Sequence, residues 1–182
     1  MAIFSKIRSL FASSTSPSEL LPVVDPTGHL PDRRLRPRLN ARPALRVLVI
    51  DDSATVCAAM RKMLQSIGLT VRVAADAETG LAMAQADPPD LIFLDIVLPN
   101  MNGFSALRVL RRNALTRTSP VIMISGNAQA TEQYFGSAVG ADDFMKKPFS
   151  RLEVFERIEN LLDEQHVPRR KAPMTMPAPL TS

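Results

Sequence analysis

Two short runs, "VLVI" (47–50) and "LIFL" (91–94), are apolar at every position. A strand with one wet face alternates apolar and polar residues. A strand with no alternation is covered on both faces, which is the situation inside a parallel sheet. These runs therefore restrict the chain to folds with helices on both sides of a sheet. Each is followed by acid: Asp51 and Asp52 after the first, Asp95 after the second. A carboxylate in a buried strand costs several kcal/mol (roughly 2–7 for an unpaired polar group) unless something pairs with it.

The period of the sequence alternates between strand and helix. Strands are expected at 46–51, 69–75, 90–95, 120–125 and 141–146. Helices are expected at 53–68, 76–86, 103–113, 128–139 and 150–164, the first ended by Gly68 and the second opened by Asp76 as a cap. Five strands alternating with five helices predict an α/β fold. It is a doubly wound, flavodoxin-like parallel sheet of order 2-1-3-4-5 with helices on both faces.

Outside this block the pattern stops. Residues 1–13 contain "IFSKIRSLF", in which Ile3, Phe4, Ile7, Leu10 and Phe11 fall on one helical stripe. Residues 3–11 can be read as a docking helix for a partner, as an amphipathic anchor on a membrane surface, or as a tail without stable structure. Residues 14–45 are rich in proline and arginine and read as a disordered linker, and 165–182 as a disordered tail. The folded unit is expected over 46–164. Net charge is +4 for residues 1–44, −3 for 45–166 and +3 for 167–182, so the basic excess belongs to the ends.

Several classes of function are excluded or disfavoured. No apolar run approaches the ~18 residues of a membrane span. The N-terminus lacks the continuous apolar core of a signal peptide, and a single cysteine, Cys57, fits a reducing cytoplasm. His29 and His166 have no cysteine neighbours that would make a zinc site. The arginines at 33–42 have no aromatic among them, so no specific nucleic-acid contact is expected.

In a doubly wound sheet, sites form beyond the carboxyl ends of the strands. The first strand delivers Asp51 and Asp52, the third Asp95, the fourth Ser125, and the fifth Lys146, Lys147 and Pro148. The second, at the edge, ends in Ala74 and Ala75. Taken singly, each polar residue has an ordinary reading: an Asp as a helix cap, Ser125-Gly126 as a turn, Lys147 as a solvated lysine. Together, three carboxylates at one mouth would repel one another, and a hard divalent cation such as Mg²⁺ relieves that. A lysine and a serine opposite complete what phosphoryl transfer to a carboxylate requires.

The segments "VLVIDDS" (47–53), "DLIFLDIVLPNMNGF" (90–104), "PVIMISG" (120–126) and "GADDFMKKPF" (140–149) resemble the receiver domain of two-component response regulators, the CheY-like family. The resemblance covers about residues 46–164. It implies that Asp95 accepts a phosphoryl group from a histidine kinase or histidine phosphotransfer protein. It further implies that Asp51, Asp52, Asp95 and the backbone carbonyl of Val97 serve Mg²⁺, and that Lys147, joined to Pro148 by a cis bond, and Ser125 bind phosphoryl oxygens. Phe144 takes the aromatic switch position, where a phenylalanine lacks the hydroxyl of the frequent tyrosine. Val97 and Asn127 hold positions that tune the lifetime of the phosphoryl group. Phosphorylation would repack the fourth helix, fifth strand and last helix into a face for a downstream protein effector, with Gln129, Tyr134, Phe144 and Arg151 on or near it.

With no room recognised for an output domain, the chain reads as a stand-alone cytoplasmic receiver. It would catalyse only its own phosphotransfer and dephosphorylation. More loosely, it is similar to the single-domain regulators of twitching motility and type IV pili. Two alternatives are a phosphate sink and a constitutive scaffold in the same kinase pathway. A dehalogenase-type phosphatase would want an Asp-x-Asp motif, and Val97 stands where its second Asp belongs.

Overall fold

Successive side chains on a strand point to opposite faces. Here that alternation divides the apolar residues between two cores. Val47, Val49, Leu91, Phe93, Ile122 and Ile124 join one cluster, and Leu48, Ile50, Ile92, Leu94, Val121 and Met123 join the other. All twelve are at most 1% exposed. Each such side chain contributes about 1.5–3 kcal/mol on burial, which is why every position of these runs is apolar.

The computed structural model describes residues 39–126 and 140–170. In chain order they form β1 (Arg46–Ile50), α1 (Ala54–Gln65), β2 (Thr70–Ala74), α2 (Ala77–Ala86), β3 (Leu91–Asp95), α3 (Gly103–Arg112), β4 (Val121–Ser125), β5 (Asp143–Lys146) and α4 (Arg151–Glu159). The strands are parallel and ordered β2-β1-β3-β4-β5, as the sequence predicts. The first cluster is closed by α1, through Cys57, Met60 and Leu64, and by α4, through Val154, Phe155 and Ile158. The second is closed by α2 and α3, through Leu81, Ala84, Phe104, Leu107 and Leu110.

The helices start where short polar side chains cap them. Ser53, Asp76, Asn102 and Ser150 each accept a bond from the backbone N–H three residues on. Such a cap is worth about 1 kcal/mol. Among the described residues no helix is long and apolar enough to cross a membrane.

The ordered unit is larger than the sequence suggests. Residues 39–45, expected in the linker, pack on the domain: Leu39 and Ala41 lie against the first core cluster and Leu45 is buried in it. Residues 165–170, expected in the tail, fold back as well. The last helix ends at Glu159 rather than 164, and Leu162 pairs with Pro168 in an antiparallel bridge. The two flanks meet where Arg42 N–H donates to the His166 carbonyl at 3.0 Å. The expected helices at 1–13 and 128–139 lie outside the described residues, as do Asn127, Gln129 and Tyr134.

Candidate phosphoacceptor and metal site

Strand register decides which polar residues meet. Ile50 stands beside Leu94, so Asp51 and Asp95 leave the sheet on adjacent strands. Asp95 pairs with Ile124, and Ser125 with Lys146, which places Ser125 and Lys147 on the other side of Asp95. Ser125 is fully buried, and its carbonyl accepts the Lys147 N–H at 2.8 Å. Asp51, Asp52, Asp95, Ser125 and Lys147 thus lie at one edge, while Phe144 stands further back on β5, opposite Met123.

Asp51, Asp52 and Asp95 each bring a carboxylate oxygen within 4.8 Å of the others. Asp51 and Asp95 are buried and Asp52 is exposed. Lys147 bridges the buried pair, its Nζ 2.7 Å from Asp51 Oδ2 and 2.6 Å from Asp95 Oδ2. The contact to Asp95 is a hydrogen bond. Asp51 Oδ2 accepts no hydrogen bond of good geometry, so its contact with Lys147 is one of charge alone. The Lys147–Pro148 bond is cis.

The remaining carboxylate oxygens hold the local backbone. Asp51 Oδ1 accepts Ser53 N–H at 3.0 Å, fixing the turn into α1. Asp95 Oδ1 accepts Val97 N–H at 3.2 Å, so Val97 is tied to the site through its backbone while its side chain is 51% exposed. Phe144, half-buried, packs at the margin of the cluster under α2 and α3.

The electrostatics follow from burial. Burial pushes the Asp95 pKa up; Lys147 opposes this, and the neighbouring Asp51 adds to it. For Lys147, burial works to lower the pKa, but the two carboxylates against it, Asp51 and Asp95, together outweigh burial and raise it. Cys57 donates from Sγ to the Asp51 carbonyl at 3.1 Å, and burial pushes its thiol up, so it is an inert neighbour of the site.

One residue that sequence reasoning did not single out is Gly103, at the start of α3. Its N–H donates to the Ile96 carbonyl at 2.9 Å. A Cβ there would stand 2.1 Å from the Asp95 carbonyl oxygen and 2.9 Å from Ile96 Cα. Only glycine lets α3 begin this close to the strand end that carries Asp95. The quoted run "NMNGF" contains the glycine, but a glycine at a helix start has too many ordinary readings to reveal this one.

Residues 47–159 match the response regulator receiver domain family. The chain belongs to this family. As a receiver-domain response regulator it has curated relatives of two kinds. It is 38% identical over 131 residues to the alkaline phosphatase synthesis transcriptional regulatory protein SphR of Synechococcus elongatus, covering 67% of this chain and 50% of that protein. It is 35% identical over 117 residues to Protein PilH of Pseudomonas aeruginosa, covering 64% of this chain and 97% of that protein. The chain thus spans about half the length of the transcriptional regulators it matches. Among solved structures, the chemotaxis protein CheY4 of Vibrio cholerae aligns with a TM-score of 0.61 at 29% identity, over 65% of this chain and 99% of CheY4. The CheY-like fold expected from the sequence is therefore the fold found.

Receiver domains bind Mg²⁺ at an acidic site, and the residues present here fit that ion. Hard carboxylate oxygens converge, one of them lacks a hydrogen bond, and three carboxylates facing one ammonium leave a charge of two minus.

Proposed function

We propose that this receiver takes a phosphoryl group on Asp95 from a phosphohistidine of a partner kinase or phosphotransfer protein. The switch then passes to a protein effector. The observation that carries this reading is Lys147 Nζ in contact with both Asp51 and Asp95, with Asp52 beside them at the open edge. Attack by an Asp95 carboxylate oxygen on phosphorus would form an acyl phosphate and break the P–N bond, leaving imidazole. Burial that disfavours the Asp95 anion makes it the more reactive nucleophile. Lys147 is placed to follow the charge from the carboxylate onto the phosphoryl oxygens.

Asp51, Asp52, Asp95 and the Val97 carbonyl would hold Mg²⁺, which when bound neutralises phosphoryl charge. An apolar groove lined by Thr55, Val56, Ala59, Met63, Pro148 and Phe149 runs alongside Lys147 and offers a seat for a helical phosphodonor. Ser125 and Phe144 are the residues proposed to relay the change: the first at the site, the second three residues before Lys147 on β5. The near-complete span of PilH supports placing the protein with the pilus-motility regulators its sequence resembles. A cytoplasmic location fits a partner kinase of this class.

The relay is tested by ¹⁵N NMR with Mg²⁺ and beryllofluoride, which mimics an aspartyl phosphate. The reading expects the amides of Ser125, Phe144 and Lys147 to shift in the wild type and to stay put in Asp95→Ala. Shifts confined to Asp51, Asp52 and Asp95 would leave a phosphate sink instead of a switch.

A further inference from the structure

The base of β5, at the opposite end of the sheet from Asp95, is held by a buried cluster that none of the roles above uses. The Asp142 side chain is 1% exposed and receives two guanidiniums, Arg111 at 2.7 Å and Arg170 at 3.1 Å, together with the Val121 N–H at 2.8 Å. Arg111 comes from the last turn of α3. Arg170 comes from the segment after α4, beyond residue 159 where the family match ends.

Both arginines also reach the same backbone. Arg111 Nε and Arg170 Nη2 donate to the Gly140 carbonyl at 2.9 and 3.2 Å, and each guanidinium donates to the Arg117 carbonyl. Gly140 has φ +78°, a conformation that costs most other residues about 1–2 kcal/mol, and it turns the chain into β5.

We infer that residues 161–170 are a releasable clasp on β5, with Arg170 as its catch. Two features make it releasable rather than merely structural. First, two cations share one carboxylate, so they repel one another. If Arg170 leaves, Asp142 keeps Arg111 and the Val121 N–H, and no buried charge is stranded. Second, the Arg170 side chain is 30% exposed and its bonds to Asp142, Gly140 and Arg117 all come from one guanidinium, so they release together. Its immediate neighbour Arg169 pairs with Asp163 on the surface, 62% exposed. The segment's apolar anchors are Leu161, Leu162 and Val167.

The clasp acts on a strand that carries Phe144 and ends at Lys147. α3 links the same two ends of the domain: Arg111 at one end touches Asp142, and Gly103 at the other abuts Asp95. Anything that pulls Arg170 away, such as a partner engaging the chain's C-terminal side, would loosen β5 from its base.

Hydrogen exchange on the full chain tests this without needing phosphorylation. In Arg170→Ala, which removes the guanidinium's bonds to Asp142, Gly140 and Arg117, the amides of β5 are expected to exchange about tenfold faster, with those of β1 and α1 unchanged. Arg169→Ala, on the same segment, is expected to leave β5 as it was. Arg170→Lys should lie between, since it keeps the charge but not the three-way bonding. Unchanged β5 exchange in Arg170→Ala would overturn the clasp. Equal acceleration across the whole domain would also overturn it, by making Arg170 a general stabiliser. Because exchange is read on the unphosphorylated protein, failure here leaves the Asp95 reading untouched, and failure of that reading leaves the clasp standing.

Discussion

Lys147 and Asp95 lie 52 residues apart in the chain and 2.6 Å apart at Nζ and Oδ2. The pair does not hold its acid in the ordinary range. Burial dominates at Asp95 and raises its pKa above 3.8. An acid with a raised folded pKa takes up its proton more readily when folded. Its charging therefore costs stability as pH climbs from its unfolded value through the folded one. Asp95→Asn is expected to melt higher than the wild type at pH 7, with the gap closing at about pH 3, where both states carry the proton. A less stable Asn variant at pH 7 would mean that the Lys147 bond outweighs burial. For Lys147 the sign is opposite: its raised pKa stabilises the fold below 10.5, a contribution lost as pH rises through its folded value.

Mg²⁺ should stabilise the folded chain, because binding relieves charge that the lysine leaves uncompensated. At a Mg²⁺ concentration ten times Kd the gain is about 1.4 kcal/mol, visible as a rise in Tm. Asp52→Asn is expected to abolish that rise while costing little in its absence, since Asp52 is exposed. An undiminished rise in this variant would remove Asp52 from the ion's ligands.

Gly103→Ala should be disproportionately harmful for so small a change. The added methyl meets backbone atoms that cannot swing aside: the Asp95 carbonyl oxygen at 2.1 Å and Ile96 Cα at 2.9 Å. A loss of about 1–3 kcal/mol in urea unfolding is expected, with slower labelling of Asp95. A neutral Gly103→Ala would show that α3 can retreat without disturbing the site.

Much of this was legible in the sequence, for a physical reason. Strands buried on both faces must be apolar throughout, so residues 47–50 and 91–94 stand out, and the acids that interrupt them mark the strand ends. The grouping of the polar residues was legible because four of the five strands, all but β2, deliver a polar residue just beyond their last apolar one. The flanks were not. Leu39, Ala41 and Val167 are single apolar residues among prolines and arginines, with no period to betray that they dock. Leu161 and Leu162 continue the apolar stripe of α4, yet they serve the turn back toward Pro168, and a stripe cannot distinguish the two uses. Arg111, Asp142 and Arg170 are too far apart in the chain for any spacing to join them.

The central claim is that Asp95 is a phosphoacceptor. The most direct measurement is incubation with acetyl phosphate and Mg²⁺, followed by a phosphate-affinity gel and intact mass. The expected result is one added phosphoryl group per chain, absent in Asp95→Asn and absent when EDTA removes the metal. A phosphoryl group that persists in Asp95→Asn, or none on the wild type with either acetyl phosphate or a phosphorylated histidine kinase as donor, would contradict it.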